Sequence, residues 1–272
     1  MIKALFFDLD GTLLDNKKQI PLSAIDALKK CKKNDIKIFI STARSPMLEK
    51  QLGIDISILS MFDGGIYCNG AVVKSEKVTS YKYINASIVK NILDTVSEYD
   101  DVHFALHLRN DYHSFNHYLP DEMLMPWGLE RNEIVPLSSE IYSSVAKILI
   151  YKDYLVGSSK ILPEQLYRDI TDVSTDKAKI YYQDSGKTIQ IAAKNISKLS
   201  AIKEVAAAYN FDPDEIAVFG DDTNDMEMLS HFTNSVAMGN AIAEVKNTAK
   251  FSTLSNDDGG IAYALEKILK II

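Results

Sequence analysis

Two aspartates, Asp8 and Asp10, directly follow the apolar run Ala4-Leu5-Phe6-Phe7. The run predicts a buried strand, and because side chains alternate faces along a strand, both carboxylates begin on the same side. Gly11 allows the backbone to turn sharply just past them. Carboxylates crowded into one pocket repel each other and are costly to bury unless a cation offsets their charge. The spacing therefore predicts a divalent metal site at the end of this strand.

A hairpin is the alternative structure for this segment, since an Asp-Gly pair is a common turn signal. The residues that follow, Pro21 to Lys33, carry apolar side chains at helical spacing, so the unit is typical of strand, loop and helix. In open parallel sheets built from such units, ligands bind beyond the carboxyl ends of the strands. Asp8 and Asp10 are predicted to lie at that end.

Three further polar motifs occur where other predicted strands end or helices begin. Thr42 follows the apolar segment Ile36 to Ser41, Asp221 and Asp225 follow a second apolar run, and Lys198 begins a predicted helix. Each residue has a structural explanation when taken alone, as a helix cap, a turn residue or a solvated lysine. Their joint occurrence at predicted element ends favours a single functional site.

Strand and helix alternate in the first and last parts of the chain, which predicts an α/β fold with a Rossmann-like parallel sheet. From about Thr79 the pattern becomes that of an antiparallel sheet with helices, and the Asp184-Ser185-Gly186-Lys187 segment predicts a tight turn. We therefore predict one core domain formed by residues 1–78 and 189–272, with an inserted α+β cap domain at residues 79–188.

The charge and composition of the chain argue against a nucleic-acid-binding protein and a membrane protein. The 272 residues carry a net charge of -7 with both signs interspersed, so no basic surface for nucleic acid or an anionic membrane is expected. No secretory leader or apolar run of membrane-spanning length is seen, and we expect a cytoplasmic protein. Cys31 and Cys68 are far apart in sequence and are expected to be reduced structural thiols.

Four histidines cluster in the predicted cap: His103, His107, His113 and His117. The first two share one face of the alternating segment Val102 to Arg109, which predicts a strand with one solvated face. Two alternatives remain for this histidine face. It could help to select a substrate, or it could form a zinc site, although the cysteines and close pair spacing typical of zinc sites are missing.

The motifs together resemble the haloacid dehalogenase superfamily of phosphotransferases, and within it the Cof-type branch of small-molecule phosphatases. The four family motifs are similar, in order, to Asp8-Leu9-Asp10-Gly11-Thr12-Leu13, Ser41-Thr42-Ala43-Arg44, Ser197-Lys198 and Gly220-Asp221-Asp222-Thr223-Asn224-Asp225. Ala43 stands where a glycine is commoner in that branch, a departure that leaves the Thr42 hydroxyl in place. The resemblance spans nearly the whole chain.

The resemblance implies catalytic and metal-binding roles. Asp8 would attack phosphorus and form an aspartyl-phosphate, and Asp10 would protonate the leaving oxygen and then deprotonate the attacking water. The implied cofactor is Mg²⁺, with the Asp8 carboxylate, the Asp10 backbone carbonyl and the Asp221 carboxylate as ligands and Asp225 assisting. Lys198 would supply a second cation against the charge of the phosphate.

Substrate contacts are implied in the same way. The Thr42 hydroxyl would donate to a phosphoryl oxygen, and backbone N–H groups around Leu9 and Gly11 would complete the cradle. The remaining implied substrate-binding residues are Ala43, Arg44, Asn69, Lys198 and Asn224. Arg44 could instead form a structural ion pair, and Asn69 and Asn240 could contact phosphate or hold loops.

The expected activity is hydrolysis of a small phosphorylated metabolite such as a sugar phosphate, with the cap closing over the leaving group. A phosphomutase or phosphotransferase would use the same aspartyl-phosphate but pass the phosphoryl group to a sugar hydroxyl. A non-catalytic sensor of phosphometabolites would be expected to lack the nucleophile, the acid/base or the metal ligand, and this chain has all three. Specificity depends on cap shape and a few polar contacts, so the sequence predicts a substrate class and not a metabolite.

Overall fold

In the computed structural model, which describes residues 1–152, 160–174 and 176–272, the chain forms two compact units. The first unit comprises Met1–Arg44, Leu52–Ser80 and Ser197–Ile272, and the second comprises Ser45–Gln51 and Tyr81–Ile196. The boundary predicted after residue 188 would divide strand Thr188–Ala193 from the strands that pair with it. The structure places this boundary at Ile196 because that strand belongs to the antiparallel sheet of the second unit.

The described strands are, in chain order, β1 (Ala4–Phe7), β2 (Lys37–Ser41), β3 (Gly64–Tyr67), β4 (Val72–Ser75), β5 (Thr79–Tyr81), β6 (Val102–Leu108), β7 (His113–Phe115), β8 (Val145–Lys152), β9 (Ala178–Gln183), β10 (Thr188–Ala193), β11 (Ile216–Gly220), β12 (Asn234–Ala237) and β13 (Phe251–Ser252). The described α-helices are α1 (Leu22–Lys33), α2 (Leu48–Leu52), α3 (Ile56–Leu59), α4 (Ala86–Ser97), α5 (Glu164–Ser174), α6 (Lys198–Tyr209), α7 (Met226–His231), α8 (Ala243–Thr248) and α9 (Gly260–Tyr263), the last continued by a π-helical turn at Ala264–Ile268. Among the described residues, no helix combines the length and the apolar character needed to cross a membrane.

The sheet of the first unit has the strand order β13-β12-β11-β1-β2-β3-β4-β5, and neighbouring strands from β13 to β3 run parallel. The α/β class with a Rossmann-like core is therefore confirmed. Strand β4 is antiparallel to β3, an addition that the prediction of a parallel sheet did not include. The chain places β2 on one side of β1 and β11 on the other, and ligands of such sheets bind where the strand order reverses in this way.

Strand β1 is buried along its whole length. Its Phe6 ring stacks on Phe39 of β2 with ring centroids 4.8 Å apart, and both belong to an apolar cluster that includes Ile202 and Val205 of α6. Central parallel strands that are covered on both faces have continuous apolar sequences, because neither face of the strand contacts water. This explains the uninterrupted Ala4-Leu5-Phe6-Phe7 segment. Each fully buried phenylalanine contributes about 1.5–3 kcal/mol, so the end of β1 is firmly fixed.

The sheet of the second unit has the strand order β7-β6-β8-β10-β9 and is antiparallel. One of its faces packs against α4 and α5 through an apolar cluster that includes Phe104 and Leu106 of β6. The other face packs against a second cluster, formed chiefly by Phe115 of β7 and by Leu119, Leu124, Trp127 and Leu129 of the segment that follows β7.

The prediction of a solvated histidine face on β6 is wrong. His107 is only 1% exposed and His113 of β7 only 3%. Alternation of polar and apolar residues indicates a solvated face only when nothing covers it, and here the aromatic segment after β7 lies over the polar side of the strand. The His107 Nδ1 and His113 Nε2 atoms lie 3.2 Å apart, so the two rings are hydrogen-bonding partners inside the sheet packing.

Burial lowers the pKa of His113 well below its ordinary value, and burial together with the nearby His103 lowers the pKa of His117 to about 4. Both groups therefore bind protons more weakly in the folded protein than in the unfolded chain. The contribution of the two neutral rings to the stability of the folded protein is fully present above pH 6.5, the ordinary histidine pKa. It is lost as the pH falls toward 4 and the rings take up protons.

When the pH falls from 7 to 5, we expect the melting temperature of His117→Gln to change less unfavourably than that of the wild type, because the variant lacks one ring whose pKa is lowered by burial. Thermal unfolding followed by circular dichroism at a series of pH values measures the effect. The exposed His231 on α7 provides the matched control, since His231→Gln leaves the pH dependence as in the wild type. An unchanged pH dependence in His117→Gln would contradict the prediction.

Candidate active site

The carboxyl ends of three neighbouring strands carry the first group of candidate residues. Asp8 follows β1, Asp221 follows β11 and Thr42 follows β2. Phe7, the last residue of β1, is in register with Phe219 of β11 and Ile40 of β2, so the three strands end at the same edge of the sheet. The topology thus brings residues from distant parts of the sequence to one place.

Lys198 is the first residue of α6 and is only 1% exposed. Ser197 caps the helix and fixes where it begins, which aims the lysine at the sheet edge. The Lys198 Nζ atom donates to Asp8 Oδ1 at 2.6 Å and to Asp225 Oδ1 at 2.6 Å. Burial lowers the pKa of Lys198, but the two carboxylates outweigh it and hold the pKa above its ordinary value, so the side chain is an ammonium.

Asp225 is fully buried immediately before α7. Its Oδ2 atom accepts the backbone N–H groups of Asp221 at 3.1 Å and Asp222 at 3.2 Å, while its Oδ1 atom accepts from Lys198. A Cβ at Gly220 would collide with the Asp225 side chain, which explains the glycine at the end of β11. Asp225 therefore anchors the loop that carries Asp221.

Asp8 and Asp221 are carboxylates in an environment short of positive charge. Burial, together with the charges of Asp225 and Asp221, raises the pKa of Asp8 well above its ordinary value despite Lys198. Burial and Asp225 also raise the pKa of Asp221 to about 7, although Thr12 Oγ1 donates to Asp221 Oδ1 at 2.7 Å. Three acidic side chains face a single buried lysine, and this imbalance favours binding of a further cation.

The geometry fits a metal ion. One ligand oxygen from each of Asp8, Asp221 and Asp225 lies within 4.8 Å of the other two, the sole such group of acidic, histidine or cysteine side chains among the described residues. Oxygen donors suit hard divalent cations such as Mg²⁺. A Cβ at Gly11 would overlap the Asp221 carboxylate, and Gly11 has φ of +82°, so only glycine allows the first loop to approach so closely.

The Asp10 carboxylate lies in a separate ion-pair group. Arg44 donates from Nε to Asp10 Oδ2 at 2.6 Å and from Nη2 to Oδ1 at 2.8 Å, and Lys18 Nζ donates to Oδ1 at 2.7 Å. Burial raises the pKa of Asp10, but Arg44 and Lys18 outweigh it and lower the pKa to about 2. Of the two alternatives for Arg44, the structure shows the ion pair.

Thr42 is buried and does not cap a helix, because α2 begins only at Leu48. Its Oγ1 atom accepts the backbone N–H of Arg44 at 3.1 Å, and its own backbone N–H donates to Ile66 at 2.8 Å. These contacts form a tight turn around Ala43. The Thr42 hydroxyl hydrogen can still be donated, as binding of a phosphoryl oxygen requires.

Three asparagines hold the loops of the site. Asn224 Nδ2 donates to Asn69 Oδ1 at 2.9 Å, and Asn69 has a left-handed backbone with φ of +55° in the turn after β3. Asn240 Nδ2 donates to the carbonyl of Gly11 at 2.8 Å, and Leu9, itself in the core, accepts the backbone N–H of Leu14 at 2.9 Å. For Asn69 and Asn240 the structure therefore shows loop-holding contacts.

Sequence reasoning missed two residues that contact the acidic side chains. Thr12, the partner of Asp221, lies inside the first motif, where a hydroxyl directly after Asp-Gly was the available signal. Lys18, a partner of Asp10, lies beside Lys17 in a loop, and nothing in the sequence pattern distinguishes one lysine from the other. Only folding of the loop shows which of them reaches the site.

The chain is similar to known proteins over nearly its whole length. A family model described as haloacid dehalogenase-like hydrolase matches residues 5–265 of the chain. The protein YxeH of Bacillus subtilis is 29% identical over 278 residues, with 99% of each chain covered. The 5-amino-6-(5-phospho-D-ribitylamino)uracil phosphatase YitU of the same organism is 26% identical over 275 residues, covering 97% of this chain and 96% of YitU.

Among solved structures, the subclass IIB sugar phosphatase BT4131 superposes with a TM-score of 0.78 at 25% sequence identity. The match covers 99% of this chain and 100% of that protein. Both units therefore have counterparts in BT4131.

Proposed function

Since the chain belongs to the haloacid dehalogenase-like hydrolase family, we propose that it is a magnesium-dependent phosphatase that hydrolyses a small phosphorylated metabolite through an aspartyl-phosphate on Asp8. The observation that carries the proposal is the position of Asp8. Its carboxylate lies at the carboxyl end of a central strand, is bonded to a buried lysine and shares a metal-binding geometry with Asp221. A buried, metal-supported carboxylate at a ligand-binding edge is suited to nucleophilic attack on phosphorus.

The Asp8 carboxylate is the attacking group in this mechanism. A carboxylate that approaches a phosphate dianion at about 4 Å meets a repulsion of several kcal/mol even at an effective dielectric near 20. Lys198 offsets part of this charge, because its ammonium lies against Asp8 at the point of attack. Mg²⁺, held by Asp8, Asp221 and the Asp10 carbonyl with Asp225 beside them, would supply further positive charge to the phosphoryl oxygens.

Asp10 moves the protons. It passes a proton to the ester oxygen as the bond from phosphorus to that oxygen breaks, and it later receives a proton from the water that cleaves the aspartyl-phosphate. Its ion pairs with Arg44 and Lys18 fix the carboxylate in one orientation and lower its pKa to about 2. In this state Asp10 is ready to accept a proton, and donation requires these ion pairs to loosen when substrate binds. The Thr42 hydroxyl and the backbone N–H groups of the first loop would bind the phosphoryl oxygens.

The substrate class is supported by the proteins that this chain resembles. BT4131 is named as a sugar phosphatase, and YitU is named for a substrate in which phosphate is attached to a ribityl chain. Both names describe phosphate esters on polyhydroxylated carbon chains. We propose that the substrate of this chain belongs to the same class of phosphate monoester.

We expect the purified protein to release inorganic phosphate from p-nitrophenyl phosphate and from sugar phosphates in the presence of Mg²⁺, without an added acceptor. Chelation by EDTA removes the activity and Mg²⁺ restores it. Asp221→Asn raises the Mg²⁺ concentration needed for half-maximal activity by at least about tenfold, because a charged oxygen ligand becomes a neutral one.

Asp222→Asn is the matched control, since the exposed Asp222 side chain accepts the backbone N–H of Thr223 at 2.7 Å and asparagine can do the same. Its Mg²⁺ requirement stays at the wild-type value. Full activity in EDTA, or equal behaviour of the two variants, would contradict the metal assignment. Phosphate release only when a sugar acceptor is added would instead indicate a phosphotransferase.

A further inference from the structure

Asn256 lies between β13 and α9, outside every motif of the chain, and reaches the turn that follows β1. It is buried, and its Nδ2 atom donates to the carbonyl of Leu14 at 2.9 Å. A carbonyl oxygen only accepts hydrogen bonds, so the nitrogen of the side-chain amide, and not its oxygen, faces Leu14. A residue late in the sequence thus supports the turn that carries the first motif.

Asn240 extends this support to Gly11. Its Oδ1 atom accepts the backbone N–H of Asn256 at 3.1 Å, and its Nδ2 atom donates to the carbonyl of Gly11 at 2.8 Å. The backbone N–H of Met238 donates to the carbonyl of Gly220 at 3.0 Å, so the same loop is also bound to the end of β11. We refer to Asn240 and Asn256 together as the amide clamp.

The turn held by the amide clamp is closed by its own backbone hydrogen bonds. The carbonyl of Leu9 accepts the N–H groups of Thr12 at 3.2 Å and of Leu14 at 2.9 Å. A turn closed in this way moves as one piece. The contacts of the clamp with Gly11 and Leu14 therefore also set the position of Thr12, which lies between them.

This turn lies directly against the carboxylate of Asp221. The Thr12 hydroxyl donates to Asp221 Oδ1 at 2.7 Å. On the other side, a Cβ at Gly11 would lie only 2.2 Å from Asp221 Oδ2, so the backbone of the turn is packed against that oxygen. Both oxygens of Asp221 thus have a neighbour in the turn, and a shift of the turn would change the orientation of the carboxylate.

We propose, on the basis of the proposed phosphatase function, that Asn256 is a positioning residue for the metal site. It holds the turn so that the Thr12 hydroxyl keeps the Asp221 carboxylate in the orientation that binds a divalent cation. Groups that orient a metal ligand from outside contribute to metal affinity, because without them the ligand must be ordered when the metal binds.

A purely structural role of Asn256 would have a different consequence. Loss of the side-chain amide removes a donor from the buried carbonyl of Leu14, which lowers the stability of the metal-free protein under either role. Only a positioning role also weakens the binding of Mg²⁺. The two roles are therefore distinguished by metal affinity and not by stability.

The experiment measures Mg²⁺ binding in the absence of substrate, from the rise in melting temperature as Mg²⁺ is added. Asn256→Leu removes the amide donor and keeps a side chain of similar size, and we expect it to raise the dissociation constant for Mg²⁺ by about tenfold. Asp257→Ala is the matched control. Asp257 accepts the backbone N–H of Asn16 at 2.9 Å, beyond the clamped turn, so this variant should bind Mg²⁺ as the wild type does.

Two other replacements test the route through Thr12. Asn240→Ala removes the exposed member of the clamp and should also weaken Mg²⁺ binding, so the proposal can be tested even if Asn256→Leu does not fold. Thr12→Val removes the hydroxyl through which the clamp acts. Adding Asn256→Leu to Thr12→Val should therefore raise the dissociation constant no further.

An unchanged Mg²⁺ dissociation constant in Asn256→Leu, with a lower melting temperature of the metal-free protein, would overturn the proposal because it indicates structural support alone. Additive effects of Thr12→Val and Asn256→Leu would overturn the route through the hydroxyl. Failure of the proposed function would be seen separately, as a wild-type protein that binds Mg²⁺ but releases no phosphate from p-nitrophenyl phosphate or sugar phosphates.

Discussion

Asp8→Asn is expected to lower phosphate release from every substrate by about a thousandfold or more, because the amide cannot attack phosphorus. Asn and Asp have the same shape, and the Asn side-chain oxygen can still accept from Lys198 Nζ, which lies 2.6 Å from Asp8 Oδ1. The loss therefore reports the chemistry of one oxygen and not a change of fold. Steady-state release of p-nitrophenol and of inorganic phosphate in Mg²⁺ measures it.

Stability should move in the opposite direction from activity. Burial and two neighbouring carboxylates raise the pKa of Asp8, which means that the folded protein disfavours its ionised form. A neutral amide removes that unfavourable charge, so in metal-free buffer Asp8→Asn should melt at or above the wild-type temperature. This combination, inactive and no less stable, is typical of a residue whose charge serves function.

Asp26→Asn provides the control, because Asp26 lies exposed on α1 and contributes only a loose contact with Lys29 at 3.7 Å. It should retain the activity and melting temperature of the wild type. Two results would count against the assignment of Asp8. Retained activity in Asp8→Asn would move the nucleophile elsewhere, and a large fall in its melting temperature would leave the loss of activity explained by unfolding.

The position of Asp8 could be predicted from sequence because its signals are local. An uninterrupted apolar run gives a buried central strand, and the polar residues that end it must lie at the ligand-binding edge of the sheet. The same reasoning places Thr42 and Asp221 at the edge, and the structure has all three strands ending there. The strand order then brings Asp8, Thr42 and Asp221 close together, because β11, β1 and β2 are neighbours in the sheet.

Other features depend on contacts between residues far apart in sequence, which no local pattern encodes. The burial of His107 depends on a covering segment whose apolar residues are irregularly spaced, so alternation along β6 gave the wrong environment. The pairing of Lys18 with Asp10 depends on one left-handed residue in a loop. Strand β4 is short and follows a tight turn after β3, and it lacks the flanking helix that marks a parallel strand.

Replacing Lys198 with methionine is expected to have the largest effect on stability. Lys198 is the cationic partner of both Asp8 and Asp225, and all three side chains are nearly or completely buried. Removal of one member of a buried ion pair leaves an uncompensated charge, which costs about 3–5 kcal/mol. We expect Lys198→Met to lower the free energy of unfolding by this amount and to lose activity, with urea unfolding in metal-free buffer as the measurement.

Two further variants decide the cause of that effect. Lys203→Met, on the exposed side of the same helix, should change the free energy of unfolding by no more than about 0.5 kcal/mol. In Lys198→Met combined with Asp225→Asn one of the two uncompensated carboxylates, that of Asp225, is itself neutralised, so about half of the lost stability should return. The double variant also keeps the test decisive if the single variant does not fold. Equal destabilisation by Lys198→Met and Lys203→Met would contradict the expected effect of Lys198, and no recovery in the double variant would show that the loss does not come from an uncompensated charge.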